Sequence, residues 1–380
     1  MKLNKLYFGQ LAAVHWATDK EIEMPDPASN SYADLNVLSP DPICAGVFLP
    51  DMDLQVSATE GHFIRSHFAA PNVPLSGWSL PVTGEVDNAL YISYEDLLKM
   101  PIHEVTSLME CAGNSRSTMQ PPAEGVQWDN GGLSVSTWKG VSVKTVLEQA
   151  GLKSAATDVL FVGADSGKEA HAEGTLVYEI SVPVEKLLNP DSVLAYEMNG
   201  ETLPKDHGFP VRLLVPGWYG MTSVKWLTKM VVMDRPNGGF HEMDYWIYPA
   251  TNGNGDAKAR RVTKLKVKSL ISTPNKGDIV APGKHKVAGV AWSGAGHIAK
   301  VEVSTDDDRT WHTANLEEPN GGYSWQHFEY EWEATSLGHA LIRSRATDSA
   351  GNVQPMLATW NFRGYEVNSI HSVPVTVAKP

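Results

Sequence analysis

Cysteine is nearly absent: Cys44 and Cys111 are the only two in 380 residues. Neither stands in a C-x-x-C or C-x-x-C-H context, which excludes zinc ribbons, cysteine-held iron–sulfur clusters, covalently attached haem and a disulfide framework. No run approaches the roughly 18 apolar residues of a membrane-spanning helix, so no membrane span is expected. The motifs H-E-x-x-H, G-x-S-x-G, G-x-G-x-x-G and the P-loop are missing too, and with them the commonest signals for metalloproteases, α/β-hydrolases, dinucleotide binding and nucleotide hydrolysis. Positive charge is scarce: 31 Lys and Arg against 44 Asp and Glu leave a net charge of −13. That balance speaks against nucleic acid, whose phosphates need a clustered basic surface, and suits a basic protein partner. Residues 1–20 show no secretory leader, because Leu11–Trp16 is short and interrupted by His15.

What is present is ordinary for a folded chain: 42% apolar and 20% charged residues. The length suggests two or three domains. Residues 1–60, rich in Pro, Asp, Asn and Ser, read as an extended arm lying over the folded body. From 61 to 255 short β-like runs (Leu160–Gly163, Val211–Val215, Lys229–Met233) alternate with short helices. The clearest helix is Ser142–Ala150, with Val143, Val146, Leu147 and Ala150 on one face and Gly151 placed to end it. Tyr94–Lys99 follows the N-cap candidate Ser93, and Val184–Leu188 follows Pro183. Asn252–Asp256 (NGNGD) reads as a linker. Beyond it the texture is strands alone: His285–Trp292, Ala299–Ser304, Tyr323–Glu331, His339–Thr347 and Thr359–Arg363. The fold class is therefore α+β, a mixed α/β domain at 61–255 followed by an immunoglobulin-like antiparallel β-sandwich at 256–380.

Three segments can carry chemistry. Leu108–Arg116 (LMECAGNSR) sets Cys111 before Ala and Gly, leaving room for a bulky ligand, and Arg116 would favour the thiolate. Such a sulfur suits a metal ion or nucleophilic attack; a buried structural cysteine fits the same spacing. Phe63–His67 (FIRSH) places Arg65 and His67 on one side of an extended stretch, a pairing for an oxyanion and a proton, or else an incidental surface pair. Asp206–Arg212 (DHGFPVR) and Ser223–Lys225 combine Gly and Pro punctuation with basic groups, as an anion-receiving surface or a turn-rich connection would. Asp306–Asp308 sits between two strand patterns without EF-hand spacing and reads as a solvated turn.

In this order and spacing the segments resemble the sulfite oxidase family of molybdopterin enzymes, from about residue 61 onward. Cys-Ala-Gly-Asn-x-Arg followed by Trp128, and Tyr196–Gly200 leading into Leu203–Arg212 and Val224–Trp226, carry the resemblance. It implies molybdenum held by molybdopterin, with Cys111 as thiolate ligand. It implies pterin contacts at Phe63, Ile64, Arg65, Ser66, His67, Asp165, His207, Arg212, Ser223, Val224 and Lys225. Arg65, His67, Arg116, Trp128, Tyr245 and Arg363 would serve the substrate oxyanion and proton movement. Sulfite as substrate, a homodimer built through the C-terminal sandwich, and a periplasmic location follow by the same resemblance. No haem module is read ahead of residue 61, so a separate c-type cytochrome is the expected electron acceptor, and direct reaction with oxygen the fallback. Ser115 and Ser66 replace a basic residue and an Asn of vertebrate members. Readings kept open are a molybdopterin reductase of sulfoxide or nitrate, a Cys111-dependent thiol hydrolase, and a cofactor-free two-domain binding protein.

Overall fold

A computed structural model describes residues 32, 34–248 and 259–379. The first domain rests on two five-stranded sheets. One runs Glu201–Thr202, Val193–Met198, Leu133–Ser142, Ile102–Glu110, with Arg212–Leu214 pairing Val193–Met198 as well. Ile102–Glu110 pairs antiparallel with Leu133–Ser142 over its whole length, so the last paired residue, Glu110, delivers Cys111 at a strand end. The other runs Leu90–Ser93, Ser79–Gly84, Leu227–Met233, Asp158–Gly167, Leu176–Pro183. Its strands are antiparallel except for the Leu227–Met233 and Ser79–Gly84 pair.

The helices form where local chemistry asks for them. Ser93 Oγ accepts from Asp96 N (3.1 Å) while the Asp96 carboxylate accepts from Ser93 N (3.3 Å). This reciprocal box starts Tyr94–Lys99 and is worth about 1 kcal/mol. Val143–Ala150 buries Val143, Val146, Leu147 and Ala150 completely, and Gly151 ends it at φ 70°. Val143, Val146 and Leu147 each contribute roughly 1.5–3 kcal/mol by leaving water.

Residues 36–65 differ from the expected arm. Asn36–Pro40, Ile43–Gly46 and Ile64–Arg65 make a three-stranded sheet, and Ile43, Cys44, Ala45, Val47 and Met52 join the main core. Asp41 and Pro42 make the turn between the first two strands, while Leu49–Asp53 is a short helix that buries Met52. Residues 1–31 and the expected linker at 252–256 lie outside the described residues.

The C-terminal domain packs two sheets. Lys268–Thr273, Gly283–Trp292, Gln326–Ala334 and Asn315–Leu316 form one; Ile279–Val280, His371–Val377, Gly338–Asp348, Ile298–Ser304 and His312–Thr313 form the other. Val287, Val301, Val303, Phe328 and Ile342 fill the space between them. Asp306–Asp308 makes the turn between Ile298–Ser304 and His312–Thr313, with Asp306 accepting from Thr310 N and Oγ1. Thr359–Arg363 is not a strand. Its polar groups are used across the domain boundary: Trp360 Nε1 donates to Pro121 O, Glu124 N to Phe362 O, and Arg116 Nε to Arg363 O. Leu265, Leu270, Val290, Trp292, Trp325 and Tyr365 belong to the same apolar cluster as the first domain, so the two domains share a core.

Candidate functional site

A cavity of about 490 Å³ lies where the first domain meets the C-terminal segment around Arg363. Its size suits a cofactor together with a small substrate. Cys111 is at the wall, half-buried, with its backbone N–H donating to Gly132 O (2.8 Å). Asn114 holds the loop closed: its N–H donates to Cys111 O (2.9 Å), its Nδ2 to Glu110 (3.0 Å), and its Oδ1 accepts from Gly132 N (3.0 Å). The loop's small residues serve its own arginine rather than only a ligand. A Cβ at Gly113 would meet the Arg116 guanidinium at 2.1 Å, and one at Gly364 would meet Arg116 Cγ at 2.8 Å. Arg116, 5% exposed, is thus threaded between glycines, with Nε donating to Arg363 O (2.7 Å) and an Nη to Val126 O (2.6 Å).

Arg65 reaches the same wall from Ile64–Arg65, whose register with Ile43–Gly46 sets Cys44 opposite it. It donates to Ser66 O and lies 3.4 Å from His67 Nδ1. Because His67 Nδ1 faces a donor, Nε2 carries the proton and donates to Glu169 Oε1 at 2.5 Å. Glu169, His67 and His241 are close enough to gather a cation. That tautomer leaves His67 Nε2 no free lone pair, so a hydrogen-bonded pair is the better reading. Arg363, from the C-terminal domain, donates to Asp244 (2.5 Å), which also accepts from Tyr365 OH (3.1 Å). Tyr245 follows directly, 9% exposed, its ring 5.4 Å from that of Tyr365.

A second group of cations lines the same cavity. Arg212 is 3% exposed, donates to His207 O (2.9 Å), Ser223 O (3.1 Å) and Met109 Sδ (3.3 Å), and lies over the Trp138 ring. Lys225 donates to Asp206 O (2.8 Å) and Ser66 Oγ (3.0 Å). Asp165 completes it, and the His62 and His207 rings meet edge to face at 5.1 Å.

Burial dominates the titration of these groups, and nearby charges modify it. Desolvation, with the Arg65 charge beside it, holds His67 down to about 2; burial with Lys225 and Arg212 holds His207 to about 3. Burial lowers His241 to about 4 and Arg212 to about 9. It raises the Asp165 carboxyl and lowers the Lys225 ammonium. Burial pushes the Cys111 thiol up, and Arg65 and Arg116 only partly oppose it. Burial also works against the Arg65 charge, but Cys44, Tyr245, Cys111 and Tyr178 outweigh it and hold its pKa above the ordinary value. The site is therefore arginine-rich with neutral imidazoles, suited to anions.

The cavity wall brings together Phe63, Ile64, Arg65, His67, Cys111, Arg116, Asp165, His207, Arg212, Ser223, Lys225, Tyr245 and Arg363. Three expected residues do not reach it. Trp128 is 1% exposed, packs edge-on against Phe63, and faces a small separate cavity near Asn36. Ser66 is fully buried and serves Lys225 instead, and Val224 is core. Glu169, Tyr178, Asp244 and Tyr365 line the wall without a signal of their own in the sequence, and His241 packs behind it against His67 and Tyr178. Asp244, adjoining Tyr245, was within reach of the motif; the others carry no local signal.

Comparison with known proteins agrees with this geometry. The model of the oxidoreductase molybdopterin binding domain matches residues 67–241, and that of the Mo-co oxidoreductase dimerisation domain matches 259–378. Sulfite oxidase of Gallus gallus is 35% identical over 354 residues, covering 88% of this chain and 74% of that one. Mitochondrial sulfite oxidase of Mus musculus is 36% identical over 335 residues, 83% of this chain; the match spans only 60% of the mouse protein's length. The solved structure of the sulfane dehydrogenase SoxCD from Paracoccus pantotrophus superposes with a TM-score of 0.75 at 27% identity, covering 90% of this chain and 88% of that one. The cavity fits the cofactor of these proteins. His62 Nε2, Asp165 Oδ1 and Arg212 Nε are buried at its wall with no protein partner among the described residues, which is costly unless a polar ligand meets them. A soft sulfur stands at the same wall for the metal. With a matching domain pair, relatives above 30% identity along most of their length and a cavity of the right chemistry, the chain belongs to the sulfite oxidase family, enzymes that work with molybdenum bound to molybdopterin.

Proposed function

We propose that the protein oxidises sulfite to sulfate and passes the electrons one at a time to an external c-type cytochrome, as a periplasmic homodimer. The observation that carries the reading is the meeting of three guanidinium groups from distant segments, Arg65, Arg116 and Arg363, at the wall that holds Cys111. A doubly charged oxyanion loses a large hydration energy on burial, and planar, permanently charged donors offset it.

Molybdenum bound by molybdopterin and the Cys111 thiolate supplies oxygen-atom transfer and takes up two electrons. The chain's own groups do the rest. His62, Asp165, His207, Arg212, Ser223 and Lys225 would hold the cofactor's polar end, Arg212 and Lys225 offering positive charge and the others polar donors and acceptors. Arg65, Arg116 and Arg363 would hold sulfite on the side of the cavity that bears the Cys111 sulfur. Asp244 keeps Arg363 turned into the cavity. Tyr245 offers a hydroxyl proton, and burial first, with Asp244 beside it, pushes its pKa up to about 12, so it donates without ionising. Of the two protons released per turnover, the Glu169 carboxylate can accept one, its pKa raised by burial and by Asp244, while His67 stays neutral and orients it. The −13 charge supports a basic electron-accepting protein.

The test is sulfite-dependent reduction of a c-type cytochrome by molybdenum-loaded protein, with Cys111→Ser alongside. Turnover that disappears in Cys111→Ser while the circular dichroism spectrum is unchanged is expected. Loaded protein that ignores sulfite but consumes electrons with nitrate or a sulfoxide would replace this reading with a reductase.

A further inference from the structure

The loop bearing Cys111 is gripped from outside the cavity by the C-terminal domain. Glu110 is 1% exposed, and its carboxylate accepts from Trp292 Nε1 (2.9 Å) and Lys268 Nζ (3.1 Å) besides Asn114. Lys268, whose side chain is 3% exposed, also donates to Ser115 Oγ (2.8 Å), and that hydroxyl donates onward to Asn130 Oδ1 (2.6 Å). Ser115 stands at φ 69°, ψ 15°, a left-handed conformation that a residue with a Cβ adopts only when its surroundings impose it. Further tethers cross the same boundary, Glu366 N donating to Ala112 O (2.9 Å) and Arg116 Nε to Arg363 O.

A buried ion pair is a poor source of stability, since an apolar pair of similar volume usually does as well. This one sits between two domains that already share an apolar core, and its cation bonds to the residue whose backbone is strained. Neither Lys268 nor Glu110 lines the cavity. We propose that Lys268 is a positioning residue: bridging Glu110 and Ser115, it fixes the turn from Cys111 to Arg116 and so aims both the metal-binding sulfur and the substrate-binding guanidinium. The sandwich thereby supplies half of the frame of the catalytic loop. Only the activity arm of the test below rests on the sulfite reading.

The experiment compares full-length, molybdenum-loaded wild type with Lys268→Met and Ser115→Gly, and with Val301→Ala as a control in the separate sandwich core. Glycine is at ease at φ 69°, so Ser115→Gly keeps the fold while losing the hydroxyl that Lys268 holds; it decides the matter if Lys268→Met fails to fold. The readouts are the thiolate-to-molybdenum charge-transfer band, which needs no substrate, and kcat and KM for sulfite per bound molybdenum. Positioning predicts a shifted band in both loop variants and a fall in kcat/KM of about tenfold or more, with neither changed in Val301→Ala at an equal loss of melting temperature. A lower melting temperature with band, kcat and KM all unmoved in the loop variants would overturn the proposal. Should wild type ignore sulfite, the band alone still judges it.

Discussion

Arg116 shows how one side chain depends on the absence of another. Its guanidinium occupies the volume that a Gly113 side chain would fill, and its hydrogen bonds to Val126 O and Arg363 O leave it little freedom to retreat. The atoms it would collide with belong to a buried guanidinium held by two hydrogen bonds, so Gly113→Ala should displace that group at a loss on the order of 1–3 kcal/mol. Sulfite KM should then rise by about tenfold, the cost of losing one charge-assisted contact, with kcat less affected. Unchanged steady-state kinetics in Gly113→Ala would mean that Arg116 does not touch the anion. The same residue marks a boundary of sequence reading. Cys-Ala-Gly-Asn-x-Arg was legible as a site because the motif is local. The use of its glycine was not, since the group that fills the space arrives three residues later by a turn, and Gly364 closes the other side from the second domain.

Elements whose cause is local were legible: the Ser93 N-cap of Tyr94–Lys99, the one-faced helix Val143–Ala150, and the alternating strands of the sandwich. Elements settled by distant partners were not. Residues 36–46 become strands only by pairing with one another and with Ile64–Arg65, and Thr359–Arg363 spends its hydrogen bonds on the other domain. Elements also determine the response to pH. His62 and His67 flank the strand Ile64–Arg65, His207 ends the short helix Lys205–His207, and His241 sits in Phe240–Asp244. Burial holds all four below the unfolded value of about 6.5. The unfolded chain therefore binds more protons as pH falls below that value, and stability is lost from about pH 6.5 downward. Asp165, Glu169 and Glu242 run the other way, their raised folded pKa values favouring the fold in acid, while His371, also lowered by burial, adds to the four. Denaturation of cofactor-free protein should show a loss between pH 7 and pH 5 on the order of 1–2 kcal/mol per histidine. A midpoint that stays constant across that range would show that these imidazoles are not held neutral.

At the scale of the molecule, the two domains cannot be treated as a catalytic body and an accessory. They share an apolar core, and the second supplies Arg363 and Tyr365 to the cavity wall. The match to a dimerisation domain across 259–378 leads us to expect a particle of twice the 41.4 kDa chain mass by light scattering. A mass of one chain at micromolar concentration would remove the dimer from the account. The acidic surface carries a kinetic consequence as well: cytochrome reduction should slow steeply with added salt, while KM for sulfite moves far less, because only the protein–protein encounter is steered over long range. A rate indifferent to ionic strength would point to an acceptor that is not basic.

Everything in the account turns on whether the Cys111 sulfur bonds the metal. X-ray absorption at the molybdenum edge counts the sulfur atoms around it, comparing loaded wild type with loaded Cys111→Ser. Cys111 ligation predicts one sulfur fewer in the variant, with the cofactor's own pair retained and a lighter atom in the vacated position. An identical sulfur shell in the two proteins would place the thiol outside the metal's coordination and contradict it.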